Sequence, residues 1–137
     1  MKVFEFDRGL FLRLDYGRGI VEQLSSFLEE KNIQTALISG IGAVRNAEIG
    51  YYDQNRKEYV KRKIDMPMEI LSLTGNVSLK DGKPFPHIHV VLGVDGDIYG
   101  GHLFEAEVFA CELFLVALKG ERLERHHDAQ TGLYLWI

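Results

Sequence analysis

The chain has 137 residues, 46% hydrophobic and 26% charged, with a formal net charge of −4 and a pI of about 5.7. That length fits one domain, residues 1–137, with enough chain to bury a core. The acidic balance argues against DNA binding by the domain as a whole, because such affinity rests on Lys and Arg neutralising phosphates, unless basic residues cluster on one face.

The start, Met1 to Asp7, carries no basic leader followed by an apolar run, so nothing marks it for export. Cys111 is the single cysteine and cannot form an internal disulfide, which fits a reducing cytoplasm. The longest apolar run, Val108 to Leu118, is interrupted by Glu112 and is too short to span a bilayer. These features predict a soluble cytoplasmic protein with no membrane partner.

Lys2 to Phe6 and Leu10 to Tyr16 read as strands around an Asp7-Arg8-Gly9 turn. The period then changes: Ile20, Leu24, Phe27 and Leu28 follow the spacing of an amphipathic helix, with Glu22, Gln23, Ser25, Glu29 and Glu30 outward and Asn32 as the stop. This is the principal helix. Thr35 to Gly42 reads as a buried strand, and Gly40 and Gly42 allow close backbone approach by a ligand or a neighbouring strand. Val44 to Asp53 and Glu58 to Ile64 form a hairpin about the turn residue Asn55.

The hairpin carries Arg56, Lys57, Lys61, Arg62 and Lys63 among Tyr51, Tyr52 and Tyr59, a mixture that suits single-stranded nucleic acid. Period two, however, sends Arg62 to the face opposite Lys61 and Lys63. Charges that protect an edge strand from aggregation explain them equally well.

Met68 to Leu79 reads as a long strand with a bulge expected at Gly75, followed by a turn at Lys80 to Lys83. Beyond Pro84 and Pro86, alternation puts His87 and His89 on one face and Ile88, Val90, Leu92 and Val94 on the other. Asp95-Gly96 is a two-residue hairpin signal, since a type I′ turn needs positive φ at both central positions. Pairing Val94 with Asp97 across it sets Val91 opposite Gly100 and His89 opposite His102.

His87, His89 and His102 thereby form a triangle on one face. Three neutral imidazoles can hold zinc, or another divalent transition metal such as iron or nickel, with a fourth position open. The competing reading is three hydrogen-bonded histidines on a polar face. Glu105 and Glu107 are either partners that orient an imidazole or solvated positions at the start of the strand Val108 to Leu118. Glu112 inside that strand must face a polar site, a subunit interface or water. His126 and His127 are adjacent and make poorer ligands; a turn at Asp128 to Gly132 and a short strand Leu133 to Ile137 follow.

Ile38-Ser39-Gly40-Ile41-Gly42-Ala43, Gly50-Tyr51-Tyr52-Asp53, Glu69 to Asn76, His87-Ile88-His89 and Gly100-Gly101-His102-Leu103 occur in order along the chain. Together they resemble the PPC domain shared by plants and prokaryotes. The resemblance implies an α+β fold, a mainly antiparallel sheet with one principal amphipathic helix, assembled as a homotrimer. It also implies zinc at His87, His89 and His102.

Plant members join the domain to AT-hooks, and standalone members inherit a DNA-binding label. This chain has no Arg-Gly-Arg-Pro hook, and Met66-Pro67-Met68-Glu69-Ile70-Leu71 replaces the Gly-Arg-Phe-Glu-Ile-Leu of plant domains. The histidine pattern is also similar to that of acetolactate decarboxylase, a zinc lyase of related fold. Three readings follow: a zinc-binding homotrimer holding a small anionic ligand, a DNA-binding accessory protein, and a metal-dependent lyase or hydrolase for which the sequence assigns no catalytic residue.

Overall fold

The computed structural model describes residues 1–136 of the chain. In order, the elements are β1 (Lys2–Phe6), β2 (Gly9–Arg13), α1 (Ile20–Glu30), β3 (Ala36–Asp53), β4 (Glu58–Ile64), β5 (Met68–Lys80), β6 (Lys83–Val94), β7 (Asp97–Ala117), β8 (Glu124–His127) and β9 (Tyr134–Trp136). The α+β class expected from the sequence is observed, a mainly antiparallel sheet with one helix. Of the final strand anticipated from Leu133 onward, Ile137 lies outside the described residues.

Two long strands organise the sheet. β3 runs unbroken from the stretch read as a strand over Thr35 to Gly42 into its continuation from Val44 to Asp53, and β7 continues from the histidine ribbon into the apolar run. β3 pairs with β5, β5 with β6, β6 with β7, and β7 with β3 again, so the ladders close a ring. Such closure needs bent strands, and register shifts supply the bends: at Gly40/Gly42 on the β5 side of β3, and around Val44 and at Glu48/Ile49 on its β7 side. The glycines answer the close-approach question in favour of a strand. A Cβ at Gly42 would collide with the Ala110 carbonyl oxygen of β7, and one at Gly40 with the Leu113 side chain.

The bulge expected at Gly75 is not there. Gly75 pairs regularly with Ile88, and the irregularity in β5 falls between Ile70 and Ser72. Gly75 has a different role, because a Cβ there would run into the backbone oxygen of His87. The helix stops as its sequence dictates: Asn32 takes φ of 51°, and the Ile33 amide donates to the Leu28 carbonyl at 2.9 Å.

Ile20, Leu24, Phe27 and Leu28 are buried together with Leu12, Ile38, Ile88, Leu92, Val108, Leu113 and Leu115 in one core. Burial of each such side chain is worth about 1.5–3 kcal/mol. Gln23, expected outward, is buried instead at 3% exposure; its amide accepts from the Asp15 N–H at 2.8 Å and donates to the Asp15 carbonyl at 3.2 Å. The helix thus fastens the chain that leads into it. No helix among the described residues is long and apolar enough to cross a membrane.

Candidate metal centre

The Asp-Gly turn sets the register that the sequence anticipates. Asp95 and Gly96 have φ of 48° and 85°, Val94 pairs with Asp97, Val91 with Gly100, and His89 with His102. Ile88, Val90 and Leu92 point into the core, so His87 and His89 face the other way. On β5, Asn76 pairs with His87 and Thr74 with His89, which holds the histidine strand on its second edge.

The three imidazoles come together, each offering one ring nitrogen, with those nitrogens within 4.8 Å of one another. Ring centroids lie 5.2 Å apart for His87 and His89, 5.1 Å for His87 and His102, and 5.6 Å for His89 and His102. His89 is exposed while His87 and His102 are half-buried. Burial first, then the Arg125 charge and the neighbouring imidazoles, brings the His87 pKa down to about 4; burial, then His89, Arg125 and Lys61, does the same at His102. Both rings are therefore neutral at pH 7, the form that ligates metals.

One atom in this cluster lacks what a buried polar atom requires. Nδ1 of His102 is buried and has no hydrogen-bond partner among the described residues. Buried nitrogens are almost always satisfied by protein, water or a metal, so the orphan fits a ligand-binding triad better than a self-sufficient polar cluster. Three neutral imidazoles suit zinc and its divalent neighbours by donor softness.

Glu105 and Glu107 do not orient these rings. Both carboxylates are engaged elsewhere. Glu105 accepts from the Val21 and Glu22 amides at 2.8 and 3.0 Å and so caps α1, whose own N-terminal residue Gly19 has no side chain to do it. Glu107 accepts from Arg45 at 2.7 Å and Asn46 at 2.8 Å. Glu112 is exposed on the outer face, paired in register with Ile41 and Arg13.

The basic hairpin is largely occupied with itself. Among the described residues, strand β4 pairs only with β3 and forms an edge. Lys61 sits 4.1 Å over the Phe104 ring and 3.7 Å from Glu48, Arg62 lies 4.9 Å over Tyr99, and Arg56 is bound by Asp53 and Glu58 at 3.0 and 3.3 Å.

A further set of residues near the histidines carries no signal in the sequence. A cavity of about 490 Å³ is lined by His87 and His102, by Tyr59, Phe85, Phe104 and Tyr134, and by Arg125 and Lys80. Arg125 donates to Ser78 Oγ, Asn76 Oδ1 and the Tyr134 carbonyl, and its Nη2 lies 3.3 Å from His87 Nδ1. Nothing about Arg125, embedded in the mixed-charge stretch Glu121 to His127, announces this place. It results from the parallel pairing of β8 with β5 at Leu79 and Glu124, a contact between distant segments.

Several solved structures share this fold. A metal-containing protein from Archaeoglobus fulgidus is 65% identical, with a TM-score of 0.93 over 100% of this chain and 99% of that one. A plant- and prokaryote-conserved (PPC) protein from Pyrococcus horikoshii is 42% identical, TM-score 0.91, over 99% and 93% of the two chains. A candidate DNA-binding protein from Bacteroides thetaiotaomicron is 27% identical, TM-score 0.92, over 99% and 96%. Acetolactate decarboxylase from Bacillus subtilis subspecies spizizenii, at 17% identity and TM-score 0.58 over 91% of this chain and 59% of that one, shares the fold alone. No protein of curated function matches the chain. Residues 1–119 match the Plants and Prokaryotes Conserved (PCC) domain, the family whose motifs the sequence displays from Ile38 to Leu103, and the chain belongs to that family.

Proposed function

We propose that this chain is a cytoplasmic zinc-binding homotrimer that holds a small anionic ligand at the open coordination position of His87, His89 and His102. The observation that carries the reading is the buried, unpartnered Nδ1 of His102 within a triangle of convergent imidazoles. The metal-containing protein from Archaeoglobus fulgidus, similar over the whole chain, supports it. Zinc is favoured because three imidazoles with a fourth position open are a common zinc arrangement. The anionic ligand is favoured by the cations Arg125 and Lys80 at the same cavity.

Assembly draws support from the outer face of the sheet. Phe4 pairs with Phe11, Phe11 with Phe114, Phe114 with Ser39, Ser39 with Thr74, and Thr74 with His89, so one row runs from an exposed aromatic edge to the histidines. Leu37, Ile41 and Phe109 add exposed apolar surface, at 54, 60 and 59% exposure. An apolar face of that kind suits copies of the same chain. DNA has weaker support, since the net charge is −4 and Arg56, Lys61 and Arg62 of the hairpin are already engaged.

Elemental analysis of untagged protein tests the metal. Near-stoichiometric zinc in the wild type, lost in His87→Ala and in His102→Ala, is the expected result. A wild type without metal after incubation with zinc would sink the reading. Sedimentation tests assembly: a particle of three times 15.6 kDa is expected, and a monomer in Ile41→Glu with unchanged circular dichroism.

A further inference from the structure

We infer that the cavity beside the three histidines receives a small carboxylic acid with a flat apolar body, its carboxylate seated against Arg125 and Lys80. The inference deepens the proposed function and rests on it for the role of the histidines beside that carboxylate.

The argument begins with Arg125, which is 8% exposed. Its partners Ser78 Oγ at 2.8 Å, Asn76 Oδ1 at 3.0 Å and the Tyr134 carbonyl at 3.1 Å are all neutral. Among the described residues no carboxylate lies within ion-pair distance of it. A buried guanidinium normally has an anionic partner, because neutral acceptors offset only part of the lost hydration. With five N–H groups in a planar fork, Arg125 gives three to those oxygens and directs a fourth at His87, leaving one on Nη1 unassigned.

The surroundings add charge of the same sign. Lys80 Nζ, in the cavity lining, sits 4.1 Å over the Tyr134 ring and 5.3 Å over Phe85, without an ion pair among the described residues. Lys57 reaches the same cavity and donates to the Ala129 carbonyl at 3.1 Å. The one carboxylate in the lining, Glu58, lies 3.3 Å from Arg56. The cavity therefore gathers cationic groups beside the imidazoles, with Arg125 in contact with His87.

Its walls decide the ligand's body. Tyr59, Phe85, Phe104 and Tyr134 are flat and apolar, and about 490 Å³ lies in the lower part of the range for small-molecule sites. Aromatic walls favour a planar ligand, and the remaining Nη1 N–H of Arg125 together with the Lys80 ammonium favours a carboxylate, one oxygen to each. A strongly hydrated phosphate would find few polar groups beyond the cations. Residues 120–136, which lie past the matched part of the family, supply Arg125 and Tyr134, so the C-terminal ribbon sets this part of the site.

Isothermal titration of zinc-incubated and chelated protein with benzoate, benzamide and inorganic phosphate tests the inference, with metal content measured on the same samples. Benzoate is expected to bind at least tenfold more tightly than benzamide, and to weaken at least tenfold in Arg125→Lys and in Lys80→Met. Should Arg125→Lys fail to fold, the variant Lys80→Met decides. No benzoate binding, equal binding of benzamide, unchanged affinity in the folded variants, or phosphate binding in place of benzoate each overturns it. Metal without benzoate binding refutes the cavity assignment alone, whereas benzoate binding without metal refutes the metal reading alone.

Discussion

Arg125 Nη2 and His87 Nδ1 lie 3.3 Å apart, joining a strand near the C-terminus to the histidine ribbon. A guanidinium only donates, so the contact selects the imidazole tautomer with a bare Nδ1 and the proton on Nε2. As a neutral ring His87 then ligates only where the Arg125 contact gives way, either through the freed Nδ1 or, with the proton moved to Nδ1, through Nε2. Long-range nitrogen–proton NMR of chelated protein at pH 7 should show His87 as the Nε2–H tautomer, and Arg125→Met should shift its ring nitrogens. An Nδ1–H signal in the wild type would mean that the contact is not a hydrogen bond.

Glu105 holds the first turn of α1 from another strand. Its carboxylate takes two amides that a helix starting at Gly19 leaves unpaired and places negative charge at the helix N-terminus. Glu105→Ala should cost about 1–2 kcal/mol in urea unfolding, the range of a lost cap. Metal content should stay unchanged, which separates this carboxylate from any part in the histidine site.

Gly75 sets how closely β5 approaches the backbone of His87. A methyl group there meets the His87 carbonyl oxygen, so Gly75→Ala must push the strands apart or tilt the histidine. The expected cost is about 1–3 kcal/mol, as for overpacking elsewhere, with reduced metal occupancy. Gly120→Ala is the matched control, since a Cβ there meets nothing within 4 Å; it should change stability by less than about 0.5 kcal/mol.

Cys111 is buried at 1% exposure, and burial, helped by Glu112, pushes its thiol pKa up to about 12. The thiolate is the reactive species, so this thiol should be inert at pH 8 in the native state. Ellman's reagent should release no colour from folded protein and one equivalent after denaturation. Fast reaction of the native protein would place Cys111 nearer the surface.

Much of the site is legible in the chain because its determinants are local. Alternation from His87 to Val94, the positive φ that Asp95-Gly96 supplies, and the pairing arithmetic across that turn suffice to bring His89 opposite His102, which the ladder reproduces. The helix is legible for the same reason, from the spacing of Ile20, Leu24, Phe27 and Leu28. Gln23 escapes that reading, because its burial depends on the backbone of Asp15 rather than on its own polarity. Gly75 escapes it too, since a glycine required by a neighbouring strand's carbonyl looks the same in one dimension as a glycine at a bulge.

By itself the sequence determined the histidine triangle, which follows from an alternation and a turn that act over a few residues, while the α+β class and the family came from its resemblance, through five short motifs in order, to a known domain. Only the tertiary structure decided what surrounds the triangle. Arg125 reaches His87 because β8 pairs in parallel with β5, and Glu105 serves the helix because α1 packs across β7. Both depend on pairing segments tens of residues apart, where the hydrophobic burial of the whole sheet, not any local preference, sets which side chains meet.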